Sequence, residues 1–164
     1  MYIKSFDELT FQDNFIFQKV MLKKPICKAV LERLLDISIK DIVYIHEEKN
    51  LDVRWDTKSV RLDVFVNDDK GTVFNIEMQT SKDMEELVKR TRFYQSILDM
   101  YHIQKGQKYT TLNDSYVIFI CTFSVFTGDR HKYTFKNVCI EDYDIALNDG
   151  ATKLFLSTKG TQHD

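Results

Sequence analysis

The chain has 164 residues, of which 43% are apolar and 13% aromatic, with one Pro and five Gly, so it reads as a globular domain able to bury about two-thirds of its unfolded surface rather than as a disordered chain. A formal charge of −2 supplies no global basic field, which counts against tight nonspecific nucleic-acid binding and leaves only a local patch for any such contact. Three widely spaced cysteines in apolar runs (Cys27, Cys121, Cys139) read as buried thiols in a reducing compartment, and the four histidines form no pair with zinc-ligand spacing.

In chain order, Phe15, Val20 and Met21 among polar neighbours predict a helix over 12–23, with Thr10 as its cap and Asp13 three residues on. Pro25 suits the first turn of a second helix over 25–36, where Ile26, Val30, Leu31, Leu34 and Leu35 make a core-facing stripe. Residues 42–48 alternate as a first strand. Two more strands follow at 60–67 and 73–79, joined by the turn residues Asp68-Asp69-Lys70-Gly71. A helix over 83–104 carries Leu87, Thr91, Tyr94, Leu98 and Tyr101 on one stripe, with Gly106 at its end. Residues 116–123 are the most continuous apolar run and predict a strand buried on both faces; 132–140 and 152–157 are weaker strands. The order predicts an α/β fold with a mixed central β-sheet flanked by helices, organised as a single domain over 1–164.

The hairpin carries the chemistry. If Leu62, Val64 and Val66 share a buried face with Met78, Ile76 and Phe74, then Asp63 lies across from Glu77, and Arg61 across from Gln79. Opposed carboxylates destabilise a sheet; at about 4 Å the repulsion is roughly 1 kcal/mol in water and about 4 in a partly buried setting. A divalent cation, a shared proton or a nearby base would offset it, and a hard cation such as magnesium takes carboxylate oxygens well. The plainer reading is a solvated hairpin face neutralised by Arg61. Asp13 reads either as a third acid near the hairpin or as a first-turn acid on a helix dipole. Arg90 and Arg92, about 200° apart on their helix, cannot share one face. Glu47, Glu48 and His46 read as a solvated strand end, and Trp55 as packing on the sheet edge.

Asp63, Glu77 and Gln79 also carry a resemblance, together with Phe11-Gln12-Asp13-Asn14-Phe15-Ile16-Phe17, Arg90-Thr91-Arg92-Phe93-Tyr94-Gln95, Ser115-Tyr116-Val117-Ile118-Phe119-Ile120 and Leu147-Asn148-Asp149-Gly150. In that order they resemble the recombination-promoting nuclease family, also described as transposase-like, of the PD-(D/E)xK nuclease superfamily. The resemblance implies a restriction-endonuclease-like core and hydrolysis of DNA phosphodiesters with Mg2+ or Mn2+. Asp63 and Glu77 would hold the metal, with the Met78 carbonyl as a third ligand. Gln79 stands where the superfamily often has Lys, a form this family shares. It would orient the attacking water, with Arg90 stabilising phosphate charge and Gln95, Arg61 and Asp13 as further site residues.

DNA is the implied partner, with a homodimer allowed. A binding or assembly module that does not cut, and a metal-dependent hydrolase acting on RNA, are the rival readings. No run approaches the roughly 18 apolar residues of a membrane span and no signal peptide is visible, so the expectation is a cytoplasmic protein without membrane contact. The polar ending after 157, where the resembled family continues, leads us to expect a missing C-terminal portion.

Overall fold

The computed structural model describes residues 5–51 and 60–162. Trp55 lies outside them. Helix α1 spans Asn14–Met21 and α2 spans Lys24–Leu35, with Pro25 in its first turn. Phe17 and Met21 on α1, and Cys27 and Leu31 on α2, sit at the i, i+4 spacing that puts both members of each pair on one face, and all four are fully buried. Strands β1 (Ile42–Leu51), β2 (Val60–Asp68) and β3 (Val73–Gln79) precede helix α3 (Met84–His102); β4 (Ser115–Cys121), β5 (Lys132–Phe135) and β6 (Ala151–Ser157) follow it.

The six strands form one mixed sheet in the order β1-β2-β3-β4-β6-β5. Pairings β1/β2, β2/β3 and β5/β6 are antiparallel; β3/β4 and β4/β6 are parallel, so α3 is the crossover that returns the chain to the start of β4. One core lies between the sheet and α1/α2 and is built from Phe17, Met21, Leu31, Val64, Val66, Phe74, Ile76 and Ile118. The other lies under α3 and is built from Phe65, Leu87, Tyr94, Leu98, Val117, Phe119 and Phe155. Helices therefore cover both faces, and β4 is buried on both, as its apolar run predicts. Among the described residues no helix is long and apolar enough to cross a membrane.

The structure departs from the sequence expectations in several places. Thr10 does not cap α1; Asp13 is the N-cap residue, and its carboxylate accepts from Thr10 N–H at 2.8 Å and Thr10 Oγ1 at 3.1 Å. Strand β1 runs on to Leu51, so Glu47 and Glu48 lie within it rather than closing it. Tyr101 leaves the buried stripe of α3 and is 52% exposed, while Ile97 joins the core. Gly106 sits in a later turn with φ 88°, because α3 already ends at Ile103, whose N–H donates to the Asp99 carbonyl. Strand β5 stops at Phe135. Cys139 is only half-buried and its thiol donates to Glu141 at 3.2 Å, unlike Cys27 and Cys121, whose thiols burial pushes up to about 12.

Candidate active site

The β2/β3 hairpin closes as its residues dictate. Asp68 Oδ1 accepts from Lys70 N–H (2.9 Å) and Thr72 N–H (2.8 Å), and Gly71 adopts φ 81°, a conformation in which a Cβ would be strained. The paired rungs are Val64–Ile76, Phe65–Asn75, Val66–Phe74 and Asn67–Val73, the register that the alternation predicts. Asp63 and Glu77 are the next residues past the Val64–Ile76 rung. There the alternation breaks, since Leu62 packs into the core under α3 while Val64 and Val66 pack on the opposite side. Asp63 lies at this break, and Asn14 at the start of α1 favours its ionised carboxylate.

The two carboxylates bond across the strands instead of simply opposing each other. Asp63 N–H donates to Glu77 Oε1 at 3.1 Å, and Met78 N–H donates to Asp63 Oδ2 at 3.2 Å. Glu77 is 3% exposed. Burial, reinforced by the charge of Asp63, pushes its carboxyl up to about 8. Burial also raises Asp63, against the pull of the Met78 amide, Asn14, Arg90 and Arg61.

Helix α3 supplies the cation. Asp83 caps it, accepting from Glu86 N–H at 3.0 Å, and the buried Leu87, Thr91 and Tyr94 set its face against β4. That orientation delivers Arg90 over the end of β3. Its Nη1 donates to Gln79 Oε1 at 3.0 Å; its Nη2 donates to Tyr94 Oη at 2.7 Å and to Glu77 Oε2 at 3.3 Å. The guanidinium carbon lies 5.1 Å from the Tyr94 ring centre and 5.2 Å from that of Phe119. Burial opposes the charge on Arg90, but Tyr94 and Glu77 outweigh it and hold the group charged. Gln79 is held at both ends, since its Nε2 donates to the Ser81 carbonyl at 3.0 Å.

The structure thus brings together Asp63, Glu77, Met78, Gln79 and Arg90. Arg61 is exposed and near enough for its charge to favour the Asp63 carboxylate. Gln95 does not join them. Its Nε2 donates to Ser115 Oγ and to Asp99 Oδ1, and Ser115 lies four residues along β4 from Phe119, the partner of Glu77, a distance of about 13 Å. The Asp13 carboxylate turns back on Thr10, and the neighbouring Asn14 is the residue that reaches Asp63. Asn14 lies in one of the resembled segments, but no spacing in the sequence singles it out. Tyr94 has one, the i, i+4 spacing from Arg90, although it reads equally well as core. Arg92 is exposed on the outer side of α3.

A family model for the PD-(D/E)XK nuclease family transposases matches residues 12–157. The chain belongs to that family. No curated protein and no solved structure matches it. The mixed sheet with helices on both faces is the α/β architecture expected of a PD-(D/E)XK nuclease family transposase, and membership supports a nuclease-type function. PD-(D/E)XK nucleases generally use divalent metals, and the donor set here suits one. Two hard oxygen ligands meet from adjacent strands, and burial together with the charge of Asp63 pushes the Glu77 carboxyl up to about 8. Among the described residues no group of three or more His, Cys, Asp or Glu gathers, so further ligands to a cation would be carbonyl, water or substrate oxygens.

Proposed function

We propose that this chain is a divalent-metal-dependent nuclease that hydrolyses DNA phosphodiesters, with its residues forming one nuclease-like domain. Asp63 and Glu77 would hold Mg2+ or Mn2+, with the Met78 carbonyl as a third ligand. When bound, the ion would neutralise phosphate charge and lower the pKa of a coordinated water. Arg90 then serves as the fixed cation for the phosphate. Its charge persists at any working pH, and its bonds to Glu77, Gln79 and Tyr94 fix where that charge stands.

The role of Gln79 follows from what it touches. Its oxygen accepts from Arg90 and its nitrogen is spent on Ser81, so we assign it to positioning Arg90 rather than orienting water. In this reading the cation that Lys supplies elsewhere in the superfamily comes from α3. The observation that carries the proposal is the continuous chain from Gln79 through Arg90 and Glu77 to the backbone of Asp63.

Nicking of supercoiled plasmid with magnesium, manganese or chelator, beside Asp63→Ala, tests it; metal-dependent nicking lost in the variant is expected. Equal nicking by both proteins would place the activity elsewhere. A matched RNA substrate separates DNA cleavage from RNA hydrolysis. Absence of both cleavage and divalent-ion binding would favour a module that binds without cutting.

A further inference from the structure

Six large apolar side chains stand open on the short stretch that ends β5 and follows it: Phe135, Val138, Ile140, Tyr143, Ile145 and Leu147 average about 60% exposure, and Ile140 reaches 77%. Exposed apolar surface on this scale, gathered on one short stretch, is often an interaction site. The stretch is an ordered arm folded back on itself. Val138 bridges Ala146, Cys139 N–H donates to the Ile145 carbonyl at 2.9 Å, and Leu147 N–H donates to the Asn137 carbonyl at 3.0 Å. The Asn137 amide fastens its base by donating to Asp149 at 2.7 Å, and Asp149 accepts from the N–H of Ala151, which opens β6. Successive residues of paired backbone point to opposite sides, so Val138 and Ile140 lie on one face and Ile145 and Leu147 on the other. An arm apolar on both faces cannot bury itself by lying flat on its own sheet.

We propose that this arm, with the terminal strand β5, is the surface through which two copies of the chain pair. The first argument is area. Taking roughly 150–200 Å² for each fully open side chain, the six present about 550–700 Å² per copy. A pairing in which each copy clasps both faces of the other's arm would bury about 1,100–1,400 Å², at or just below the low end of the range for specific interfaces. The second argument is charge. Lys132, which reaches the Leu34 carbonyl, and Lys136 stand with Asp149 at the base of the arm, while Glu141, Asp142 and Asp144 stand at its tip. A two-fold axis perpendicular to the arms sets them antiparallel, so that each acidic tip meets the basic base of the other. Strand β5 ends the sheet and offers an edge in the same place.

The arm lies away from the carboxylates. Gly150, just past it, accepts from Ser115 N–H, and Ser115 is four residues along β4 from Phe119, the partner of Glu77, a distance of about 13 Å. Pairing and cleavage are therefore separable.

Size-exclusion chromatography with light scattering over a concentration series, on the whole chain, tests the proposal. The wild type is expected to pass from monomer to dimer. The double variant Ile140→Ser/Leu147→Ser should raise the dissociation constant by at least about tenfold, equivalent to about 1.4 kcal/mol, without changing the thermal melt at concentrations where both proteins are monomeric, since both side chains are exposed. Lys136→Glu and Asp144→Lys should each weaken pairing alone, and an equimolar mixture of the two should restore it, because both cross-arm contacts then become attractive. A wild type that stays monomeric, a dimer indifferent to the arm substitutions, or a mixture no tighter than its components would each overturn the proposal.

Discussion

Glu77→Gln probes the electrostatic state of the site without altering its shape. The carboxyl of Glu77 rises from an ordinary 4.5 to about 8 because it is buried and faces Asp63. A folded-state value above the unfolded one means that the native protein binds the proton more tightly. The associated stability is fully present below about pH 4.5 and is lost as pH rises toward and through about 8. At roughly 1.4 kcal/mol per pH unit, a rise from 4.5 to about 8 is worth on the order of 5 kcal/mol, a large share of the 5–15 kcal/mol typical of a whole domain. For a chain of this size that corresponds to roughly 10–20 °C in melting temperature. Melts followed by circular dichroism in chelator, from about pH 5 to about pH 8.5, should show the wild type losing stability relative to Glu77→Gln. Added magnesium should recover most of that loss for the wild type alone, because the ion favours the ionised carboxylate. Parallel profiles for the two proteins in chelator would refute the claim that Glu77 is a strained, buried acid.

Four further substitutions bear on the hairpin and on the cation that faces it. Gln79→Lys, which writes the superfamily's usual residue into the site, should lower plasmid nicking, because the new ammonium would face Arg90 where an amide oxygen now accepts from it at 3.0 Å; a gain would refute the positioning role. Arg90→Lys keeps the charge but loses the fork to Gln79, Glu77 and Tyr94, so the cleavage rate should fall roughly 10²-fold, whereas Tyr94→Phe, losing one hydrogen bond, should cost about tenfold or less. Asp68→Ala removes the acceptor for two turn amides in a residue that is 5% exposed, and should lower unfolding free energy in urea by roughly 1–3 kcal/mol with little change in the chemical step.

What the sequence discloses is whatever repeats locally. Period-two alternation is enough to set Val64 against Ile76 and Val66 against Phe74, and i, i+4 spacing is enough to bury Leu87, Thr91, Tyr94 and Leu98 on α3. Leu62 escapes that logic because a strand can turn about its axis without any change in residue pattern. The contacts of Arg90 escape it too, since Glu77 and Gln79 meet the helix only after the crossover lays α3 on the sheet. Gln95 belongs to the same resembled segment as Arg90, yet five residues along a helix carry it toward the opposite end of β4. The exposed aromatics and aliphatics of 135–147 have the composition of a core strand, and composition cannot say that the surface they would cover is absent from their own sheet.

The origin of the two halves of the site bears on how the domain opens. Asp63 and Glu77 come from one hairpin and can meet as soon as five residues close its turn, while the guanidinium that faces Glu77 arrives on a helix whose place depends on the parallel pairing of β3 with β4. A partial opening that lifts α3 therefore strips the apolar cover from Phe119 and also leaves the acids without Arg90. Undocking thus carries an electrostatic penalty in addition to the loss of packing. Helix and hairpin should behave as one cooperative unit in amide hydrogen exchange, with amides of β3 and the middle of α3 sharing a common opening energy, and a bound divalent ion should slow both together.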